Sequence, residues 1–335
     1  MECKLKNKKI LITGGAGFLG SNLARRLLEN KENSENSKNN EVSLFIKKGT
    51  ELSRIKDIIG NRNLRIIEGN LLDKETVKKS VENKDYLFHF AWQNDLKKSM
   101  ENPIQDLEND LIGLINILEI CKEVNPSIKI IFPSTVTVIG IPEKNPSNED
   151  EKEKPLSVYD LHKLIAEKYL QFYYKSFEIK SCVLRLSNVF GEHQKIDNPN
   201  RGVLNFMVGR ALRNEPLTVY GDGSWIRDYS YVGNFIDAFI LAAENENTNG
   251  EVYVLGSGEG RNFNGAVEKI KEIVENLTDK QVIIKHIPFP EQEHEINKRN
   301  FIADYSKFHS ATNWKPKISF DDGLKRMIEF YVDKA

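Results

Sequence analysis

The sequence predicts an α/β fold, a doubly wound parallel sheet with a smaller C-terminal α+β lobe. Three observations predict it. Short apolar runs alternate with amphipathic stretches through the first half of the chain, the rhythm of a parallel sheet covered by helices on both faces. The first run, Ile10–Ile12, ends in a glycine cluster that opens directly into a helical stretch. From about Asn188 the rhythm becomes irregular, loops grow, and short strands mix with helices. With 335 residues the chain can bury a sizeable core, as one large α/β domain or two modest ones. The sheet domain is placed at residues 1–187 and the lobe at 188–335, with some exchange of chain between them.

In chain order, Ile10–Ile12 is a buried strand, and Leu19, Leu23, Leu27 and Leu28 recur at helical spacing through Glu29. Residues 30–40 form a polar, low-complexity run with nothing to bury, expected as a solvated, mobile loop. Val42–Ile46, Leu64–Ile67, Tyr86–Phe90, Ile128–Phe132 and Cys182–Leu186 read as the second to sixth strands. Amphipathic stretches Lys74–Val81, Pro103–Val124 and Val158–Phe177 lie between most of them. In the lobe, Leu217–Tyr220, Val252–Leu255 and Val282–Ile284 read as strands. Val203–Arg213, Asn234–Ala243, Asn264–Glu275 and Gly323–Tyr331 read as helices. Ligands of open α/β sheets sit at the carboxyl ends of the strands, so a lobe there would close a cleft.

Gly14, Gly17 and Gly20 lie three residues apart between the first strand and the first helix. They would permit a tight turn, a close approach to a pyrophosphate and tight helix–strand packing. The helix N-terminus adds unpaired N–H groups and partial positive charge, with Phe18 and Leu19 lining the same turn. A glycine turn can be merely structural, but here the strand and helix context that a dinucleotide site requires is present. With Thr13 the stretch reads T-G-x-x-G-x-x-G, and Thr13–Gly20 resembles the short-chain dehydrogenase/reductase superfamily in its extended, sugar-nucleotide branch. That resemblance implies a Rossmann-type sheet and an NAD(P) cofactor.

Tyr159 and Lys163 are four residues apart, on one face of a helix. A tyrosine hydroxyl, with a pKa of about 10, is a poor base at neutral pH. A nearby ammonium favours the phenolate. Tyr159 could then exchange a proton with a sugar hydroxyl while Lys163 tunes it and holds a nicotinamide ribose. The stretch from Ser134 to Gly140 resembles the family segment S-S/T-x-x-V-Y-G, which puts Thr135 in the place of the catalytic Ser/Thr. Ser134 beside it is a candidate substrate contact, with a structural hydroxyl as the alternative. Ile139 departs from the family's Tyr. Val136 and Thr137 stand where the 4,6-dehydratase branch has two acidic residues, which disfavours dehydration.

No carboxylate ends the second strand to receive a ribose 2′-OH; Lys47 is there, with Arg54 soon after. These suit the 2′-phosphate of NADP, and the alternative is an exposed, lysine-rich loop. NADP is therefore preferred over NAD. Gly69–Asp73 resembles the family's G-D-L-x-D, which meets the adenine; Asn70 replaces the usual Asp, its amide still able to bond the base, and Leu71 follows it. Phe90, Ala91 and Trp92 follow His89 in a resemblance to H-x-A-A along the phosphate–ribose groove, with Trp92 in place of the second Ala, where it would narrow the site or cover the cofactor. His89 itself reads as a satisfied buried histidine. Asp110 stands where the family often has Asn.

Leu184–Gly191 resembles L-R-x-x-N-V-Y-G, which assigns Asn188 to the sugar diphosphate. Val219–Val232 resembles V-Y-G-D-G-x-x-x-R-D-F-x-Y-V, which assigns Arg227 to the same diphosphate, with a salt bridge to Asp228 as the alternative. Arg299 matches a second diphosphate-binding arginine, and Trp314-Lys315-Pro316 and Gly323-Leu324 match the closing W-x-P and G-L. The expected substrate is a nucleotide-diphosphate sugar. The expected reaction is NADPH-linked 4-keto reduction, with an NAD-dependent 4-epimerase as the rival. A small-carbonyl reductase and a non-enzymatic dinucleotide sensor rank lower.

The formal net charge of −1 gives no global pull toward nucleic acid or an anionic membrane. No apolar run approaches the roughly 20 residues of a membrane span. The short stretch before the first strand leaves no room for a signal peptide, so a cytoplasmic protein is expected. Cys3, Cys121 and Cys182 indicate neither a disulfide framework nor a metal site. Family members are often homodimers through two long helices, here Pro103–Val124 and Val158–Phe177.

Overall fold

A computed structural model describes residues 5–29, 39–289 and 299–332. The expected polar loop at 30–40 lies outside these residues except for Asn39 and Asn40.

The strands are β1 (Lys9–Thr13), β2 (Glu41–Ile46), β3 (Leu64–Glu68), β4 (Tyr86–His89), β5 (Lys129–Thr135) and β6 (Ser181–Leu186). They continue as β7 (Asn188–Phe190), β8 (Leu217–Tyr220), β9 (Ile226–Tyr231), β10 (Glu251–Leu255), β11 (Gly260–Asn262) and β12 (Ile284–Ile287). The helices begin with α1 (Phe18–Leu28), α2 (Lys74–Val81), α3 (Leu96–Glu101), α4 (Pro103–Asp106), α5 (Gly113–Val124) and α6 (Val158–Phe177). After them come α7 (Val203–Leu212), α8 (Val232–Glu244), α9 (Phe263–Leu277), α10 (Ser306–Thr312) and α11 (Phe320–Val332).

Seven strands form the main sheet in the order β10-β6-β5-β4-β1-β2-β3. Its pairings are all parallel. Adjacent residues in β1 feed opposite apolar layers. Ile10 and Ile12 join the core under α1 and α8, whereas Leu11 joins the core under α2, α5 and α6. A parallel strand buried on both faces has this composition. Two smaller sheets, β11-β9-β7 and β12-β8, build the lobe.

The structure refines the sequence-derived picture in several places. The exchange of chain across 187/188 is carried by β10, which pairs with β6 in the main sheet, and by α8, which packs on α1, β5 and β6. Val254 and Leu255 are apolar enough for either location; only pairing decides. The stretch Pro103–Val124 is one continuous helical run, in which a π-helical segment, Leu107–Ile112, joins α4 to α5. β9 was not expected, because its first residues, Ile226-Arg227-Asp228, do not alternate like a half-buried strand. The last expected strand lies two residues further on, at Ile284–Ile287, where it pairs with β8.

Candidate active site

Gly14 turns the chain at the end of β1 with a φ of +65°. A Cβ on Gly14 would lie 2.8 Å from the Ala91 nitrogen, because the end of β4 runs against the turn. On Gly20 it would lie 2.5 Å from the Gly14 carbonyl oxygen. Any side chain there would separate helix from strand. Gly17 caps α1 with no side-chain hydrogen bond, and the first turn carries no acidic residue. The turn therefore fits a pyrophosphate: backbone approach is open and the helix-end amides are not taken by a capping side chain. Phe18 and Leu19, on the first turn, are partly buried against the core.

Thr13 joins this turn to β4. Its hydroxyl hydrogen-bonds His89 Nδ1 at 2.8 Å and accepts the Ala91 N–H at 3.2 Å. His89 has no exposed surface, and burial, with the nearby Lys163 charge, pulls its pKa down to about 3. Its Nε2 has no partner among the described residues, so it is satisfied on one side only. Phe90 packs on Phe239, with ring centroids 4.7 Å apart. The buried Trp92 indole N–H has no partner among the described residues.

β5 and α6 bring Thr135, Tyr159 and Lys163 to one end of the sheet. Register between β4 and β5 stops at Ile131, so the missing N–H of Pro133 costs no ladder bond and its carbonyl is left over. Lys163 Nζ donates to that carbonyl at 2.7 Å. The ammonium lies 4.2 Å from the Trp92 ring centroid, 4.3 Å from that of Phe132 and 6.0 Å from that of Tyr159. Burial lowers the pKa of Lys163, against the opposing charges of Asp110, Glu167 and Asp106. The Tyr159 phenol is pushed up, not down as the Tyr–Lys spacing suggested. Loss of water and the carboxylates of Asp160, Asp110 and Asp106 outweigh an ammonium committed to Pro133.

Ser134 does not join this group. It is buried, and its hydroxyl donates to Glu167, which also holds Arg185 through Nε at 3.1 Å and Nη2 at 2.7 Å. Successive residues of a strand face opposite sides, so Ser134 and Thr135 cannot both face the site.

Sequence reading missed several buried polar groups around the Tyr–Lys pair. His162 Nδ1 donates to Asp106 Oδ2 at 2.8 Å. Asp110, in the π-helical segment, accepts the Gln93 N–H at 2.9 Å, and burial pushes its pKa up. Thr137 donates to Asp160, the residue after Tyr159. A charged residue at every fourth position of a helix usually means a solvated face; here burial was the missing signal.

At the far end of the cofactor turn, Lys47 is exposed. Arg54 Nε donates to the His193 carbonyl at 2.6 Å, bridging to the loop after β7. Asn70 is exposed and its Oδ1 accepts the Leu72 N–H at 3.0 Å. Leu71 points into the core, so only its backbone faces outward.

On the lobe side, Asn188 Oδ1 is buried without a partner among the described residues. Arg227 donates to the Ile226 carbonyl at 3.1 Å and to the Arg299 carbonyl. Asp228 accepts the N–H groups of Ser257, Gly258 and Ala303 at 2.7, 2.9 and 3.1 Å. Arg299 is 6% exposed, and its Nε and Nη1 have no partner among the described residues. Burial and the neighbouring Arg227 pull its pKa down to about 9, with Asp160 the opposing charge. Two cations side by side, one with unpaired buried donors, suit a doubly charged anion.

The GDP-mannose 4,6-dehydratase family model matches residues 11–327. A putative UDP-glucose 4-epimerase of Methanocaldococcus jannaschii is 30% identical, over 96% of this chain and 97% of its own. The UDP-N-acetylglucosamine 4-epimerase of Methanobrevibacter ruminantium, solved with UDP-N-acetylmuramic acid, superposes with a TM-score of 0.87 at 27% identity, covering 99% of this chain and 100% of that one. The UDP-glucose 4-epimerase of Thermus thermophilus, solved with NAD, has a TM-score of 0.80 at 28% identity, covering 96% and 98%. Among the described residues no helix is long and apolar enough to cross a membrane.

Proposed function

The chain belongs to the GDP-mannose 4,6-dehydratase family, within the extended short-chain dehydrogenases/reductases of nucleotide sugars, and from that membership we propose that it is a nucleotide-sugar 4-epimerase with a retained NAD. The observation that carries this reading is Arg299, whose buried Nε and Nη1 have no partner among the described residues and which stands beside the second cation, Arg227. Asn188 adds a buried polar atom beside the same lobe. When bound, the dinucleotide accepts and returns a hydride at the sugar carbon. Gly14, Gly17 and Gly20 would hold its pyrophosphate, with Lys163 near its ribose. Tyr159 takes the sugar hydroxyl proton and gives it back, and Thr135 hydrogen-bonds the same oxygen. Protonated Lys163 favours the Tyr159 phenolate against the burial that disfavours it.

NADPH-linked 4-keto reduction is the second reading, and the exposed Lys47 favours it. Arg54 weighs against it, because its Nε is held by the His193 carbonyl. Denaturing the purified protein and identifying the released dinucleotide tests the choice. Stoichiometric NAD(H), with interconversion of UDP-glucose and UDP-galactose or their N-acetyl counterparts, supports epimerisation. An empty site with NADPH consumption overturns it. A homodimer through α6, where Leu161, Phe172 and Phe177 are exposed, belongs to the same reading and is tested by sedimentation.

A further inference from the structure

A chain of hydroxyls runs from Thr135 to a carboxylate with no exposed surface. The Thr135 and Thr137 hydroxyls hydrogen-bond each other at 2.9 Å. Thr137 donates onward to Asp160 Oδ1, and Ser157 donates to Asp160 Oδ2 at 2.7 Å. The Thr137 N–H donates to Thr135 Oγ1 at 3.2 Å. Asp160 is wholly buried.

Each hydroxyl carries one hydrogen, so the far end of the chain sets its direction. With Asp160 ionised, Thr137 points its hydrogen at the carboxylate, and its oxygen takes the hydrogen of Thr135. Thr135 then offers a substrate only a lone pair. With a proton on Asp160 Oδ1, the acid donates to Thr137 and Thr137 donates to Thr135. The Thr135 hydrogen is then turned outward. Ser157 keeps donating to Oδ2 in both states.

Arg299 is the second observation. Burial disfavours the charged form of Asp160, the positive charge of Arg299 acts on it in the opposite sense, and Arg227 acts on Arg299 as a like charge. Tyr159 is the neighbouring titratable group on α6, and Thr137 and Ser157 are neutral. Arg299 therefore supplies the positive field that favours an ionised Asp160. A diphosphate on Arg299 would cancel that field and add negative charge beside the carboxylate.

We propose that Asp160 is a positioning residue that takes one proton from solvent when a diphosphate engages Arg299, and so turns the Thr135 hydroxyl from acceptor to donor toward the substrate oxygen. The proposal rests on the reading of Arg227 and Arg299 as the diphosphate site. It gives the enzyme a way to present a proton donor only after the correct ligand has docked.

Calorimetry of UDP binding in buffers of different ionisation enthalpy tests it, with pyrophosphate as a second probe. The expected result is uptake of about one more proton per site by the wild type than by Asp160→Asn, because the amide cannot be protonated. Equal proton counts in the two proteins overturn the proposal. Binding of pyrophosphate but not UDP, with the same difference, leaves the relay standing and removes the nucleotide reading. Binding of neither probe removes both. Thr137→Val and Thr137→Ser supply a test that does not depend on Asp160→Asn folding. The valine variant should lose roughly tenfold or more in kcat with KM little changed, and serine should restore it. A valine variant with wild-type kcat overturns the relay.

Discussion

Trp92 covers the ammonium of Lys163, whose Nζ lies 4.2 Å from the indole centroid. The ring keeps water from a cation that burial already disfavours. Trp92→Ala admits water, and rehydration of the ammonium outweighs the lost cation–π contact, so the proton affinity of Lys163 rises. Titration of the Lys163 13Cε resonance checks the direction without requiring a known substrate. An unchanged or lower midpoint would contradict the account.

Asp110→Asn should move the same midpoint the other way. The carboxylate of Asp110 is the largest favourable charge acting on the Lys163 ammonium. Removing it lowers the proton affinity of Lys163 further, and a pH profile limb carried by Lys163 shifts to lower pH. The two variants thus bracket the wild type.

Arg299→Met should stabilise the ligand-free protein while weakening diphosphate binding. The buried guanidinium has two nitrogens without partners, a cost of about 1–3 kcal/mol that the thioether does not carry. Losing its charge-assisted bonds costs UDP affinity roughly 10- to 100-fold. Urea unfolding and calorimetry read the two effects separately. A destabilised variant with normal UDP affinity would show that Arg299 is structural.

Ser134→Ala should cost stability and spare turnover. Its hydroxyl donates to the buried Glu167, so the loss is about 1–3 kcal/mol. Turnover should stay within about twofold, because Ser134 faces away from Thr135. A large loss of kcat/KM without a fall in stability would restore Ser134 to the substrate side.

The pH dependence of stability has a sign set by His89. Its folded-state pKa of about 3 lies below the ordinary 6.5. Below about pH 6.5 the unfolded chain takes a proton that the folded chain refuses. Stability therefore falls as pH drops from about 6.5 toward 3, by up to about 1.4 kcal/mol per pH unit. His89→Asn removes this dependence. Between about pH 7 and about pH 5 the wild type should lose about 2 kcal/mol more than the variant in urea unfolding.

Much of the molecule was legible in the order of residues. Ile10–Ile12, the spacing of Gly14, Gly17 and Gly20, and the Tyr159–Lys163 interval each depend on local periodicity and backbone freedom, which a sequence carries directly. These determined the parallel sheet, the dinucleotide turn and the helix that bears the Tyr–Lys pair. What a side chain faces depends on which elements meet. Ser134 and Thr135 are adjacent hydroxyls, and only the strand's alternation over Glu167 separates them. Arg54 and Lys47 are near in sequence, yet the loop after β7 claims Arg54 through the His193 carbonyl. Asp160 carries no signal of its own in the sequence; the residues that follow β5 bring Thr137 against it. Val252–Leu255 reads as a strand of the lobe until pairing with β6 returns it to the main sheet. Sequence determined the elements, because hydrogen-bond periodicity is local. Tertiary structure alone decided which polar groups lose water and which partners they gain, because burial is a property of packed surfaces.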